Sequence, residues 1–206
     1  MASTDDTNKT SDTSAQLVFL VNQAKDGNRS AFAQLVDQFQ ADVFRMVYYR
    51  IRVRADAEDI AQDVFLKAYQ KISSVKDVAR FRGWLFSITL NRIRDFQRKK
   101  RFRSLFKVED ENIEYEPPDK TGIDQPEALD HVLRKDFWRQ IRLILNKLSK
   151  MEREVFLLRF FDHLNINEIA GVLKKNESTI KTHLYRALAK FKKEPGIRQL
   201  LKEVIQ

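Results

Sequence analysis

From residue 15 onward, apolar residues recur at steps of three and four, the spacing that gathers them on one side of an α-helix. A short helix is predicted over AQLVFLVNQAKD, ending at Gly27. A longer one starts near Ser30 and carries Phe32, Leu35, Val36, Phe39, Val43, Phe44, Met46 and Val47. In ADAEDIAQDVFLKAYQKI (55–72), Ile60, Ala61, Val64, Phe65, Ala68 and Ile72 share one face, and Asp59, Gln62, Asp63 and Leu66 share the other. Asp56 is placed to cap this third helix, and Glu58 and Asp59 in its first turn suit the helix dipole. A fourth helix is predicted from about Asp77 through QRKKRFR. Leu85, Ile88 and Phe96 line one side, and Ser87, Asn91, Arg94, Arg98 and Arg101 the other.

The pattern then breaks. Residues 104–130 hold nine acids against two lysines, a net −7, and three of the four prolines, which reads as an extended or disordered joint. Periodicity resumes in DHVLRKDFWRQIRLILNKL. Ser149 with Glu152, and Asn165 with Glu168, form capping-box patterns that open two further helices. A longer basic helix, STIKTHLYRALAKFKK, follows a tight turn and stops at Pro195-Gly196. A short helix, a turn and a longer basic helix is the helix-turn-helix order. The expected architecture is all-α: a tail without order (1–14), a helical domain (15–103), the acidic linker (104–130) and a helix-turn-helix domain (131–206).

Composition narrows the chemistry. With 206 residues and 43% hydrophobic content, the chain can build a core in each block. Lys and Arg number 38 against 29 Asp and Glu, a surplus that points to a polyanion only where it clusters. With no cysteine, disulfides and thiolate metal sites are excluded. His131, His163 and His183 are scattered, and no carboxylate row completes a metal site at Asp59 and Asp63. Phosphate-loop and nucleophile motifs are absent, so neither cofactor, metal nor enzymatic activity is expected. The first residues, MASTDDTNKTSDTS, lack a signal peptide's basic and apolar regions. No stretch approaches the ~18 apolar residues of a membrane span. The expectation is a cytoplasmic protein without membrane insertion.

Three surfaces carry the remaining chemistry. Residues 92–103 hold seven basic side chains and one acid, and FRGWL upstream sets aromatics beside them. Such a row binds phosphates, and an aromatic with a neighbouring amide can hold an unstacked base; taken alone, the aromatics read first as core. Residues 174–193 carry seven Lys or Arg and one Glu, with hydroxyls early in the helix, which suits a major groove. The third surface, Asp59, Gln62, Asp63 and Leu66, is acidic and holds a leucine. Nucleic acid would repel it, and a solvated face needs no leucine, so it suits another protein.

Three stretches in order, DAEDIAQDVFLKAYQKI (56–72), FRGWLFSITLNRIRDFQRKKR (81–101) and LSKMEREVFLLRFFDHLNINEIAGVLKKNESTIKTHLYRALAKF (148–191), resemble an extracytoplasmic-function (ECF) sigma factor, the smallest class of bacterial RNA polymerase sigma subunits. The resemblance implies that Asp59, Gln62, Asp63 and Leu66 dock on the clamp helices of the polymerase β′ subunit, with Asp56 and Glu58 capping or packing. It assigns Phe81, Arg82, Trp84, Asn91 and Arg94 to capture of a flipped −10 base, with Arg98 and Arg101 continuing the basic row. Ser178, Thr179, Lys181, Thr182 and Arg186 would read the −35 element. It further implies contact with the β subunit, a linker threading toward the RNA exit path, and an anti-sigma partner.

Two departures stand out. Relatives often carry Gly and an apolar residue in the last turn, where this chain has Lys174 and Lys175, so Asn176 is expected to supply the turn chemistry. Ser178 stands where Gly is frequent. The rival reading is a regulator that binds duplex DNA through 167–193 and never joins polymerase; it leaves the acidic face and FRGWL unexplained.

Overall fold

The structure, a computed structural model, describes residues 5–106, 141 and 143–193. The chain divides into two compact units, 1–113 and 114–206, with the division inside the predicted joint. Apart from 104–106, the predicted linker lies outside the described residues, as does the Pro195-Gly196 stop.

In the first unit, α1 (Asp5–Lys25), α2 (Arg29–Ile51), α3 (Arg54–Lys71) and α4 (Phe81–Phe106) pack around one core. Gly27, at φ +91, makes the left-handed step between α1 and α2. Asn28 then caps α2 by accepting the Ala31 N–H at 3.1 Å. The core holds Val21, Leu35, Val43, Met46, Val47, Val64 and Leu85, each at 1% exposure or less. Burying one such side chain is worth about 1.5–3 kcal/mol, so this core outweighs the weak propensities around it.

The structure differs from the sequence expectation at three places here. α1 begins at Asp5, ten residues before the predicted start. Extending a helix already anchored by Leu20, Val21 and Ala24 avoids the cost of nucleation, so polar sequence follows it. α3 begins at Arg54, so Asp56 lies in its first turn and is not the cap; Val53 holds that position without a side-chain bond. Arg52, left-handed at φ 67, turns the chain between α2 and α3, and Arg54 pairs with Glu58 at 2.9 Å across the first turn of α3. In α4 the buried arc is Phe81, Leu85, Phe86, Thr89, Leu90 and Ile93, while the predicted Ile88 and Phe96 are half-buried. α4 packs on both α2 and α3, which demands a broader buried arc than one stripe. Thr89 is accommodated there because its hydroxyl donates to the Leu85 carbonyl at 3.0 Å.

The second unit contains α5 (described over 143–147), α6 (Lys150–Phe160), α7 (Ile166–Leu173) and α8 (Glu177–Lys192). Ile144, Leu145, Leu148, Phe156, Leu157, Ala187 and Phe191 form its core, with Phe156 stacked on Phe191 at 4.2 Å between ring centres. Both predicted capping boxes are present, at Ser149/Glu152 and Asn165/Glu168.

Glu152 does more than cap. Its carboxylate is buried, accepts the Ser149 backbone N–H at 2.9 Å and accepts from the Lys190 ammonium at 2.6 Å. One carboxylate thereby ties the start of α6 to the last turns of α8. The Lys190 hydrogen bond holds the Glu152 carboxyl below its ordinary value, the Ser149 N–H acts in the same direction, and burial opposes both. A lowered folded-state value stabilises the unit above the unfolded carboxyl range and loses that contribution as pH falls through the folded value. We expect Glu152→Gln to cost about 1.5–3 kcal/mol at pH 7. In hydrogen exchange of α8 amides, the wild-type and variant protections should converge as the pH falls through and below the lowered Glu152 value; a gap that stays constant would contradict the linkage.

Candidate polymerase-binding and nucleic-acid surfaces

On α3, Ala57, Ile60, Val64 and Ala68 are buried, which fixes the roll of the helix. Asp59, Gln62, Asp63 and Leu66 are consequently all exposed on one side, and Leu66 shows 57% of its surface. The four side chains predicted as a set are a set. Tyr69, one step further along the same side at 43% exposure, extends the face; its ring forms a T-shaped pair with Phe32, 5.0 Å between centres. Its place three residues beyond Leu66 was the signal available in the sequence.

The basic row on α4 is also real. Asn91, Arg94, Arg98 and Arg101 are exposed, opposite Leu85, Thr89 and Ile93. Arg98 reaches Asp95 at 3.1 Å through an exposed pair, which salt and a phosphate can displace. FRGWL forms the first turn of α4, preceded by a 3-10 turn at Val78–Arg80 that Asp77 caps through the Ala79 N–H. Its aromatics divide. Phe81 is 1% exposed and packs against Phe39 at 5.6 Å, so no face remains for a base. Phe81 instead supports Trp84, whose half-buried ring lies 5.5 Å away. Arg82 is half-buried, with its guanidinium over the Phe86 ring at 5.1 Å. The physical reason for the Phe81 correction is that α2 offers an apolar wall at Phe39, which a sequence pattern does not show.

In the second unit, Ile180, Ala187 and Phe191 are buried, and Ser178, Lys181, Thr182 and Arg186 are exposed on the opposite side of α8; Thr179 is half-buried. Thr179 helps to begin the helix: its N–H donates to Asn176 Oδ1 at 2.8 Å. Asn176 is therefore the N-cap of α8. The turn itself is made by Lys174, left-handed at φ 53 and ψ 49, whose N–H closes α7 onto the carbonyls of Ala170 and Gly171. Asn176 supplies its side-chain bond to the turn as expected, and the departure to lysine is absorbed at Lys174, at a backbone cost glycine would not bear. Asn167 Nδ2 donates to Glu177 at 3.2 Å, linking the two helices across the turn.

Among the described residues, no helix is long and apolar enough to cross a membrane, and no group of three or more His, Asp or Glu residues could hold a metal. Three exposed faces stand out among the described residues: one acidic with a leucine, one basic beside a tryptophan, and the basic outward side of α8.

Comparison with known proteins defines the class. Residues 35–103 match the family described as Sigma-70 region 2, which spans most of α2 and all of α3, and residues 138–191 match Sigma-70, region 4. The ECF RNA polymerase sigma factor SigW of Bacillus subtilis is 30% identical over 178 residues, covering 84% of this chain and 94% of SigW. The ECF RNA polymerase sigma factor BldN of Streptomyces coelicolor is 34% identical over 182 residues, 85% of this chain; the match spans 64% of BldN. A solved structure of CnrH in complex with the cytosolic domain of CnrY is similar at a TM-score of 0.62 and 26% identity, covering 91% of this chain and 98% of that one. The chain belongs to the ECF RNA polymerase sigma factors of the sigma-70 family.

Lys174→Gly should stabilise the second unit by about 0.5–1 kcal/mol, relief of the left-handed strain outweighing the added freedom of the unfolded chain. Urea denaturation followed by the exchange of α7 and α8 amides measures it. An unchanged or lowered stability would show that Lys174 is not strained.

Proposed function

We propose that this chain is an alternative sigma factor that binds core RNA polymerase, directs it to a specific class of promoters and promotes melting of the start site. The observation that carries the reading is the joint exposure of the acidic Asp59/Asp63/Leu66 face on α3 and of basic faces on α4 and α8. The basic faces suit DNA; the acidic one would be repelled by it and suits a protein, with Leu66 supplying apolar burial at its centre.

Roles follow from chemistry. Asp59, Gln62, Asp63 and Leu66 dock on the β′ clamp helices, and Tyr69 widens that contact. Arg94, Arg98 and Arg101 hold phosphates, and counterion release makes that contribution salt-dependent. Trp84 stacks on an unpaired base of the −10 region, worth about 1–3 kcal/mol, with Asn91 and Arg82 beside it and Phe81 as its support. Melting then draws on binding energy, and the chain has no catalytic role of its own. Ser178, Thr179, Lys181, Thr182 and Arg186 engage the −35 duplex, Thr179 through its place at the helix start. CnrH is solved with the cytosolic domain of CnrY; by analogy, a partner protein holds this chain off polymerase in the cytoplasm.

The test is transcription in vitro with purified core polymerase on a fragmented genomic library, with transcript 5′ ends mapped. Wild-type protein should yield discrete starts that share two spaced motifs. Asp59→Arg/Asp63→Arg places like charge against its partner, which costs several kcal/mol, and should abolish these starts by at least about 100-fold. Specific binding to duplex DNA by the chain alone, with no starts, would instead establish a regulator that acts apart from polymerase.

A further inference from the structure

The recognition helix carries a side chain that the basic pattern conceals. Tyr185 is 70% exposed, more than any other large apolar side chain among the described residues. It stands seven residues after Ser178, two helical turns and about 10 Å further along, and within about 20° of the same azimuth. Lys181 and Thr182 lie on either side of that line, and Arg186 lies further round. Tyr185 therefore occupies the middle of the outward face, with cations at its edges.

The hydroxyls of Ser178 and Thr182 on this face are already engaged. Thr182 Oγ1 donates to the Ser178 carbonyl at 2.9 Å, and Ser178 Oγ donates to Asn176 Oδ1 at 3.0 Å. With its hydroxyl proton turned back to the helix, Thr182 has a methyl group left to offer a partner. An aromatic ring and a methyl on the mid-line, flanked by cations, form a small apolar reading surface bordered by phosphate contacts. In the major groove the apolar feature of a base pair is the C5-methyl of thymine.

We propose that Tyr185 is a specificity-determining residue of the upstream promoter element, its ring packing on the C5-methyl of a thymine about three base pairs from the base step that Ser178 faces. The proposal rests on the sigma-factor reading. Lys181 and Arg186 set the register on phosphates, and Tyr185 converts that register into a preference for T over C.

The experiment uses holoenzyme assembled from core polymerase and the full chain, on synthetic promoters built from the mapped starts. Each thymine of the upstream motif is replaced singly by deoxyuridine, which removes the methyl and keeps the hydrogen-bonding edge. Wild type should lose about fourfold in affinity at one position, the value of one buried methyl. Tyr185→Ala should bind the thymine and deoxyuridine promoters equally. Tyr185→Phe should retain the preference, since the ring and not the hydroxyl reads the methyl. Tyr185→Gln keeps a long side chain without the ring, and serves if the alanine variant folds poorly by circular dichroism. An upstream motif without thymine overturns the proposal, as does wild-type indifference to every replacement or a preference that survives loss of the ring. All three outcomes presuppose discrete promoter-dependent starts, so their absence points to the sigma reading and not to Tyr185.

Discussion

Helix roll is the constraint on which the functional surfaces depend. A helix shows solvent whatever its buried arc does not cover, so the core decides which side chains can meet a partner. On α3 that arc is Ala57, Ile60, Val64 and Ala68, none more than 6% exposed. Two carboxylates, an amide and a leucine are left outside as a consequence. On α8 it is Ile180, Ala187 and Phe191, which leaves hydroxyls, cations and a tyrosine. A roll of one residue, about 100°, would bury charges at a cost of several kcal/mol each and expose the apolar stripe. The surfaces are thus as well defined as the cores beneath them.

The second unit is small, and its helices are tied by a few polar bonds of high value. Glu152 is buried, yet its Oε2 accepts from two groups on different helices, the backbone of Ser149 at the start of α6 and the ammonium of Lys190 in α8. Arg153 adds a 2.8 Å bond to the Leu145 carbonyl, satisfying an acceptor at the end of α5. Asn176, Asn167 and Glu177 then set the start of α8 against α7. A recognition helix anchored at both its first and last turns can hold side chains at a fixed register against DNA, which is what base readout requires.

Charge separates the partners. In the same chain, an acidic face with an apolar centre and basic faces beside aromatics cannot serve one ligand. Exposed cations lose strength as salt rises, while Leu66 and Trp84 contribute apolar and stacking energy that salt does not screen. Contacts made by the exposed basic faces are therefore salt-dependent in a way that burial of Leu66 is not.

Much of this organisation is legible in the sequence. Periodicity located α2, α3 and α8; Gly27 marked the end of α1, and Ser149 and Asn165 the starts of α6 and α7; and Asp59, Gln62, Asp63, Leu66, Asn91, Arg94, Lys181, Thr182 and Arg186 were placed on outward faces. These are properties of local sequence: a 3.6-residue repeat and a cap act within one or two turns. What crosses between helices was not legible. Phe81 is core because Phe39 faces it, 42 positions away in the chain; the buried arc of α4 is wide because two helices cover it; Glu152 meets Lys190 across 38 positions. The left-handed turns at Arg52 and Lys174 belong with these, since both residues accept a conformation that their type disfavours so that neighbouring helices can pack. The sequence by itself determined which faces exist and what chemistry they carry. Only the tertiary structure decided which aromatic stays in the core and which reaches the surface, because that choice is made by the neighbour and not by the residue.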